Sequence, residues 1–260
     1  MTIPIYQVDA FTMGSFSGNP AAVCPLNAWL DDDTMQNIAA ENNLSETAFI
    51  VAGEGSYGLR WFTPAIEVDL CGHATLAAAY VVLNHLQPEL DSVSFETQSG
   101  ELVVTRDGDR LSMDFPARAP TPVAVSEALS DALGEAPAEV YASRDILAVY
   151  EDEAGVRRLS PDQAKLLALD EGLGVIVTAK GDAVDFVSRF FAPKAGVAED
   201  PVTGSAHCTL VPFWAERLGR SQLVAHQVSS RGGELHCEHR GARVIISGQC
   251  TLFLTGSIHL

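Results

Sequence analysis

Lysine is scarce in this chain: three of 260 residues, against 34 acidic ones. The resulting formal net charge of −18 sets up a field that repels phosphate, which argues against nucleic acid and anionic membrane surfaces as partners. An anionic substrate must therefore be held by local donors. No apolar run approaches the ~20 residues of a membrane span. The opening “MTIPIYQVDAF” lacks the basic and apolar regions of a signal peptide and reads as a first strand. The five cysteines are odd in number and include no CxxC pair. That pattern points to free thiols in a reducing compartment, so the expected location is cytoplasmic. Hydrophobic residues make up 47% and charged residues 19%, the balance of a globular chain with a sizeable core.

The chain alternates strand patterns with helices. “DDDTMQNIAAENN” begins with an acidic N-cap and places Met35, Ile38 and Ala39 at helical spacing. “SETAFIV” and “YGLRWF” read as a hairpin across “GEGS”. A nearly all-apolar helix is expected from Gly72 to about Leu86, followed by strands “SVSFET”, “ELVVTR” and “RLSMDF”, the last two joined by an Asp-Gly turn. “PARAPTPVAVS”, residues 116–126, is rich in Pro and Ala without periodicity and reads as a linker. The expected division is residues 1–118 and 119–260, with a terminal strand able to cross over.

The order then recurs. “GHATLAAAYVVLNHL” (72–86) lies over “GSAHCTLVPFWAERL” (204–218), and “GELVVTRDGDR” (100–110) over “GELHCEHRGAR” (233–243), at nearly one offset. Two matched segments point to an internal duplication. Each half then places an apolar helix among strands, and a pseudo-twofold would bring both helix N-termini to one inter-domain cleft. Cys71-Gly72-His73 and Thr203-Gly204-Ser205 become equivalent positions.

A helix N-terminus carries about half a positive charge and unpaired N–H groups. A glycine in its first turn lets a ligand approach the backbone. Two such termini make a carboxylate site without Lys or Arg, although a pair of ordinary N-caps reads the same way in sequence. Asp200, just before the second helix, is placed to balance His73, or is a turn residue ahead of Pro201. On a strand through “NLSETAFI”, Glu46 shares a face with Leu44, Ala48 and Ile50. That dry setting raises a carboxyl pKa and suits a base that removes a proton from carbon beside a carbonyl; an exposed Glu on a half-buried strand is the alternative.

Other signals do not hold. “GEGSYG” matches GxGxxG but is followed by “LRWFTP”, not a helix. His207 cannot serve Ser205, because residues two apart on a helix point about 200° away from each other. In “LHCEH”, His236 takes the strand face opposite Cys237 and His239, so no tetrahedral metal set forms.

Four segments in order, “DAFT…GNPAAV”, “NLSETAFI”, “DLCGHATLAAAY” and “EDPVTGSAHC”, spanning residues 9–208, resemble the signatures of the PhzF-like phenazine-biosynthesis isomerases. These have the diaminopimelate epimerase-like fold. The resemblance implies an α+β chain of two similar halves, each a curved sheet or barrel around a central helix, in a homodimer. It implies a cofactor-independent isomerase with no metal, acting on a small, cyclic carboxylate; the characterised member isomerises trans-2,3-dihydro-3-hydroxyanthranilate. By resemblance, Glu46 moves the proton, while Gly72, His73, Asp200, Gly204 and Ser205 hold the substrate and assist. Amino-acid epimerases of this fold use a thiol before each helix glycine. Here those positions are Cys71 and Thr203, which favours a Glu46-centred proton shift. Racemisation of an amino or hydroxy acid through one thiol and one carboxylate is the second reading, and a non-catalytic carboxylate-binding protein the third.

Overall fold

A computed structural model describes residues 1–260. The chain divides into two compact units, Met1–Asp114 with Ser247–Leu260, and Phe115–Ile246.

The first unit runs β1 (Thr2–Ala10), β2 (Asn19–Leu26), α1 (Asp32–Asn42), β3 (Glu46–Ala52), β4 (Tyr57–Phe62), β5 (Glu67–Val68), α2 (Gly72–Val81), β6 (Ser92–Thr97), β7 (Gly100–Asp107) and β8 (Arg110–Pro116). Strand pairing alternates: β1–β2 antiparallel, β2–β3 parallel, β3–β4 antiparallel, β4–β6 parallel, β6–β7 antiparallel. Parallel neighbours need a crossover connection, and here α1 supplies one and α2 the other. “GEGS” forms the turn between β3 and β4, closed by Gly53 N–H donating to Ser56 O at 2.8 Å.

The second unit runs β9 (Thr121–Val123), α3 (Glu127–Leu133), β10 (Glu139–Ala142), β11 (Ile146–Val149), α4 (Glu153–Arg158), α5 (Gln163–Leu167), β12 (Val175–Lys180), β13 (Phe186–Ala192), β14 (Val197–Asp200), α6 (Gly204–Leu218), β15 (Gln222–Gln227), β16 (Gly233–Arg240) and β17 (Arg243–Gly248). Its pairing repeats the first unit's sequence: β10–β11 antiparallel, β11–β12 parallel, β12–β13 antiparallel, β13–β15 parallel, β15–β16 antiparallel. The final strand, β18 (Cys250–His259), lies antiparallel to β1, as β9 lies antiparallel to β10. β9 falls inside the stretch read as an unstructured linker. Pro122 hid it, since proline is confined to sheet edges and breaks the usual strand pattern.

Both crossover helices are central. α2 buries His73 to Ala79 and Val81, so it is apolar on all sides as a helix enclosed by its own unit must be. It packs on β1, β2, β3 and β18. Its last turn, Val82–Leu86, widens into a π-helix, with Gln87 N–H donating to Val82 O at 2.7 Å. α6 buries every residue from Ala206 to Ala215, including an interior Pro212. Proline has no N–H and leaves the carbonyl four residues back without its helical partner. That carbonyl belongs to Cys208, and the backbone N–H of Arg118 donates to it at 2.8 Å.

Candidate active site

In the first unit the chain brings five polar side chains to the start of α2. Glu46 is the first residue of β3, registered opposite Ala21 of the parallel β2. Asn19 opens β2 and follows Gly18, which sits at φ +80° with Ala10 O only 2.5 Å from where a Cβ would stand, so only glycine fits there. Because α2 packs over β2 and β3, its second residue, His73, meets both. Nε2 of His73 lies 2.9 Å from Oε2 of Glu46. On the other side of the ring, Asn19 Nδ2 donates to Nδ1 at 3.1 Å, and Cys71 Sγ is 3.5 Å from the same nitrogen. Ser45 Oγ donates to Asn19 Oδ1 at 3.0 Å, which leaves the amide nitrogen toward the ring.

This arrangement has a direction. An amide nitrogen can only donate, so Nδ1 accepts and the proton of a neutral ring sits on Nε2, toward Glu46. Burial opposes a charge on His73, but the Cys71 sulfur and the Glu46 carboxylate outweigh it and hold the ring's pKa well above its ordinary value. Taking up a second proton requires Asn19 to turn its amide over, so that Oδ1 faces Nδ1. Burial, reinforced by the Glu46 charge, pushes the Cys71 thiol up. Glu46 Oε2 and His73 Nε2 are close but poorly aligned, and neither atom has a well-formed hydrogen bond. The carboxylate side chain is 15% exposed and the imidazole 6%. An acid–base pair of this kind is largely screened from water while keeping capacity to bond something else.

The second unit's helix start is built differently. Thr203 precedes α6 without capping it. Its hydroxyl donates instead to Asp200 Oδ2 at 2.5 Å. Buried Gln227 braces this loop, accepting from Thr203 N–H at 2.8 Å and donating to Asp200 O at 2.8 Å. Ser205 Oγ accepts from Arg144 Nη2 at 3.1 Å. His207 points inward, with Nδ1 donating to Thr203 O at 2.8 Å and its ring 5.9 Å from Phe186. Burial pushes its pKa down to about 4, so it is neutral. Glu199 is committed to Arg189 by two hydrogen bonds of 2.7 and 2.9 Å.

The expected residues therefore fall into two groups. Glu46, Gly72 and His73 gather at the mouth of α2; Asp200, Gly204 and Ser205 gather at the mouth of α6. The carboxylate found beside His73 is Glu46, because the parallel β2–β3 pair carries it under α2. A carboxylate site free of arginine needs correcting, since Arg144 stands at Ser205. Asn19 and Ser45 escaped the sequence reading as site residues. Gly18 directly before Asn19-Pro20 was the available signal. A concavity within the second unit, about 1120 Å³ between residues 117–122 and the C-terminal part of α6, contains none of the expected residues.

Comparison with known proteins gives the family. Residues 8–256 match the family model described as phenazine biosynthesis-like protein. An uncharacterized isomerase of Pseudomonas aeruginosa is 55% identical over 260 residues, covering 100% of both chains. The crystal structure of a PhzF-family phenazine biosynthesis protein from Enterococcus faecalis superposes with a TM-score of 0.98 at 51% identity, again over 100% of both chains. A hydroxyproline epimerase from Agrobacterium vitis, at 9% identity, a TM-score of 0.62 and coverage of 99% of this chain and 92% of that one, shares the fold alone. With the family model spanning nearly the whole sequence and such relatives matching end to end, this chain belongs to the phenazine biosynthesis-like PhzF family.

Proposed function

We propose that this protein is a cofactor-independent isomerase that moves a proton between two carbons of a small, cyclic carboxylate, as in the isomerisation of trans-2,3-dihydro-3-hydroxyanthranilate. The observation that carries this reading is the Glu46–His73 contact of 2.9 Å at the mouth of an uncapped helix. Glu46 takes a proton from carbon next to a carbonyl and returns it at another carbon, so no redox partner or cosubstrate is consumed. His73, carrying its proton on Nε2, steadies the carboxylate and hydrogen-bonds the oxygen on which charge develops. The open N–H groups at the start of α2 favour the substrate carboxylate. Asp200, Gly204 and Ser205 are assigned to substrate binding on the resemblance of “EDPVTGSAHC”, and Arg144 joins them through its bond to Ser205. The working form is taken to be a cytoplasmic homodimer, which size-exclusion chromatography with light scattering would check. No helix of the chain is long and apolar enough to cross a membrane.

A second reading rests on Cys71. Its thiol stands 3.5 Å from His73 Nδ1, so one thiol and one carboxylate could exchange the α-proton of an amino or hydroxy acid. Solvent exchange separates the two. Purified protein in D₂O, given a panel of small cyclic carboxylates, incorporates deuterium or isomerises in the wild type and not in Glu46→Gln. If Cys71→Ala is equally dead, the racemase reading replaces the isomerase. Binding of a ligand with no exchange in any case removes both and leaves a binding protein.

A further inference from the structure

The start of α2 brings together a thiol, an imidazole and a carboxylate, the three side-chain types that bind zinc. One donor atom from each of Cys71, His73 and Glu46 lies within 4.8 Å of the other two, and no other trio of such donors in the chain comes as close. An independent observation points the same way: Glu46 Oε2 and His73 Nε2 are buried without a well-formed hydrogen bond. Buried polar atoms in that condition cost free energy until something engages them. A tetrahedral ion about 2.0–2.3 Å from nitrogen, oxygen and sulfur has donor edges of roughly 3.3–3.6 Å. The Cys71–His73 contact is 3.5 Å and the Glu46–His73 contact 2.9 Å, and the three donors, within 4.8 Å of one another, must draw together by up to roughly an ångström. These two contacts end on different ring nitrogens, so the imidazole must turn to offer one nitrogen to the ion. Asn19, able to present either its oxygen or its nitrogen, then holds the other, as second partners of ligating histidines do.

We propose that Cys71, His73 and Glu46 form a binding site for a thiophilic divalent cation, zinc first, with a fourth position left for water. Binding exchanges protons for the metal: the S–H bond of Cys71 breaks and an S–Zn bond forms, a doubly protonated His73 gives up the N–H of the nitrogen that binds, the protons pass to buffer and no electrons are transferred. The ion takes the carboxylate and imidazole that the proposed proton shift uses, so occupancy shuts that chemistry off. This inhibitory consequence rests on the isomerase reading; the binding itself does not.

The test uses the full chain, stripped of metal by a chelator and titrated with Cd²⁺. Binding is followed by the ultraviolet thiolate-to-cadmium charge-transfer band, with Zn²⁺ run in parallel by calorimetry. The expected result is one ion per chain, with protons released to the buffer. The band should be absent in Cys71→Ser, and affinity should be weaker by roughly tenfold or more in His73→Gln. Circular dichroism checks each variant; should Cys71→Ser unfold, His73→Gln and the wild-type stoichiometry decide. Absence of the band in the wild type, its survival in Cys71→Ser, or unchanged affinity in a folded His73→Gln would overturn the site. Cadmium binding with no solvent exchange on any substrate would remove the isomerase reading and leave the ion site standing. Exchange without cadmium binding would do the reverse.

Discussion

α2 begins Cys71-Gly72-His73 and α6 begins Thr203-Gly204-Ser205, and in neither case does the residue before the glycine cap its helix with a side-chain hydrogen bond. From that shared start the two diverge. At α2 the histidine faces a carboxylate, a thiol and an amide, and its pKa is held up. At α6 the histidine lies two residues further on, faces aromatic rings and a backbone carbonyl, and its pKa is held down. Thr203 cannot ionise near neutrality and is locked to Asp200 and Gln227. On the proposed reading a duplicated element is divided between tasks: one copy keeps groups that exchange protons, while the other becomes a hydrogen-bonded cradle.

The largest effect that would sharpen this contrast is on chemistry. Glu46→Gln should lower proton exchange by roughly 10²–10⁴-fold while the unfolding midpoint stays near the wild type. An equal loss from Thr203→Val would break the contrast. Next, Asn19→Ala leaves His73 without its orienting partner, and misplacement on the ångström scale costs up to roughly 10²-fold in exchange rate. Exchange in Asn19→Ala at the wild-type rate would show that the amide only packs.

The third prediction concerns pH and stability. His207 titrates near 6.5 when unfolded and about 4 when folded. The unfolded chain therefore binds more protons between those values, and stability falls as pH falls through that window. The loss by pH 4 is about 3 kcal/mol. Urea unfolding of wild type and His207→Leu at pH 7 and pH 4.5 should show a steeper decline in the wild type; identical declines would remove His207 from the account. The smallest effect is at Pro212. Proline inside a helix costs about 3 kcal/mol relative to alanine. Here the freed Cys208 carbonyl is already occupied by Arg118, so Pro212→Ala should change stability by less than about 1 kcal/mol in the same assay.

Glu46 and His73 were each visible in the sequence, one as a carboxylate in an apolar strand and the other as a polar residue opening an apolar helix. Their partnership was not, because it depends on β2 and β3 being parallel and on α2 crossing over them. Local periodicity carries no trace of which strands pair. The recurrence of helix and hairpin was legible because both helices are apolar on nearly every side and open on a glycine, and both hairpins carry Gly-Glu-Leu and a glycine in the turn. Arg144 was invisible for the opposite reason. It lies in the connection between β10 and β11, and nothing nearby in sequence marks its approach to Ser205. β9 was lost because one proline in three residues outweighed a pairing set by β10.

The carbonyl that α6 lends to Arg118 ties a surface segment to the middle of a buried helix. Residues 121–126 are all exposed, and amides in such a stretch ordinarily trade their protons with solvent within moments. The Arg118 amide can do so only when the bond to Cys208 opens, so it should exchange with the slow amides of the helix interior. That protected proton would then report the breathing of α6 itself.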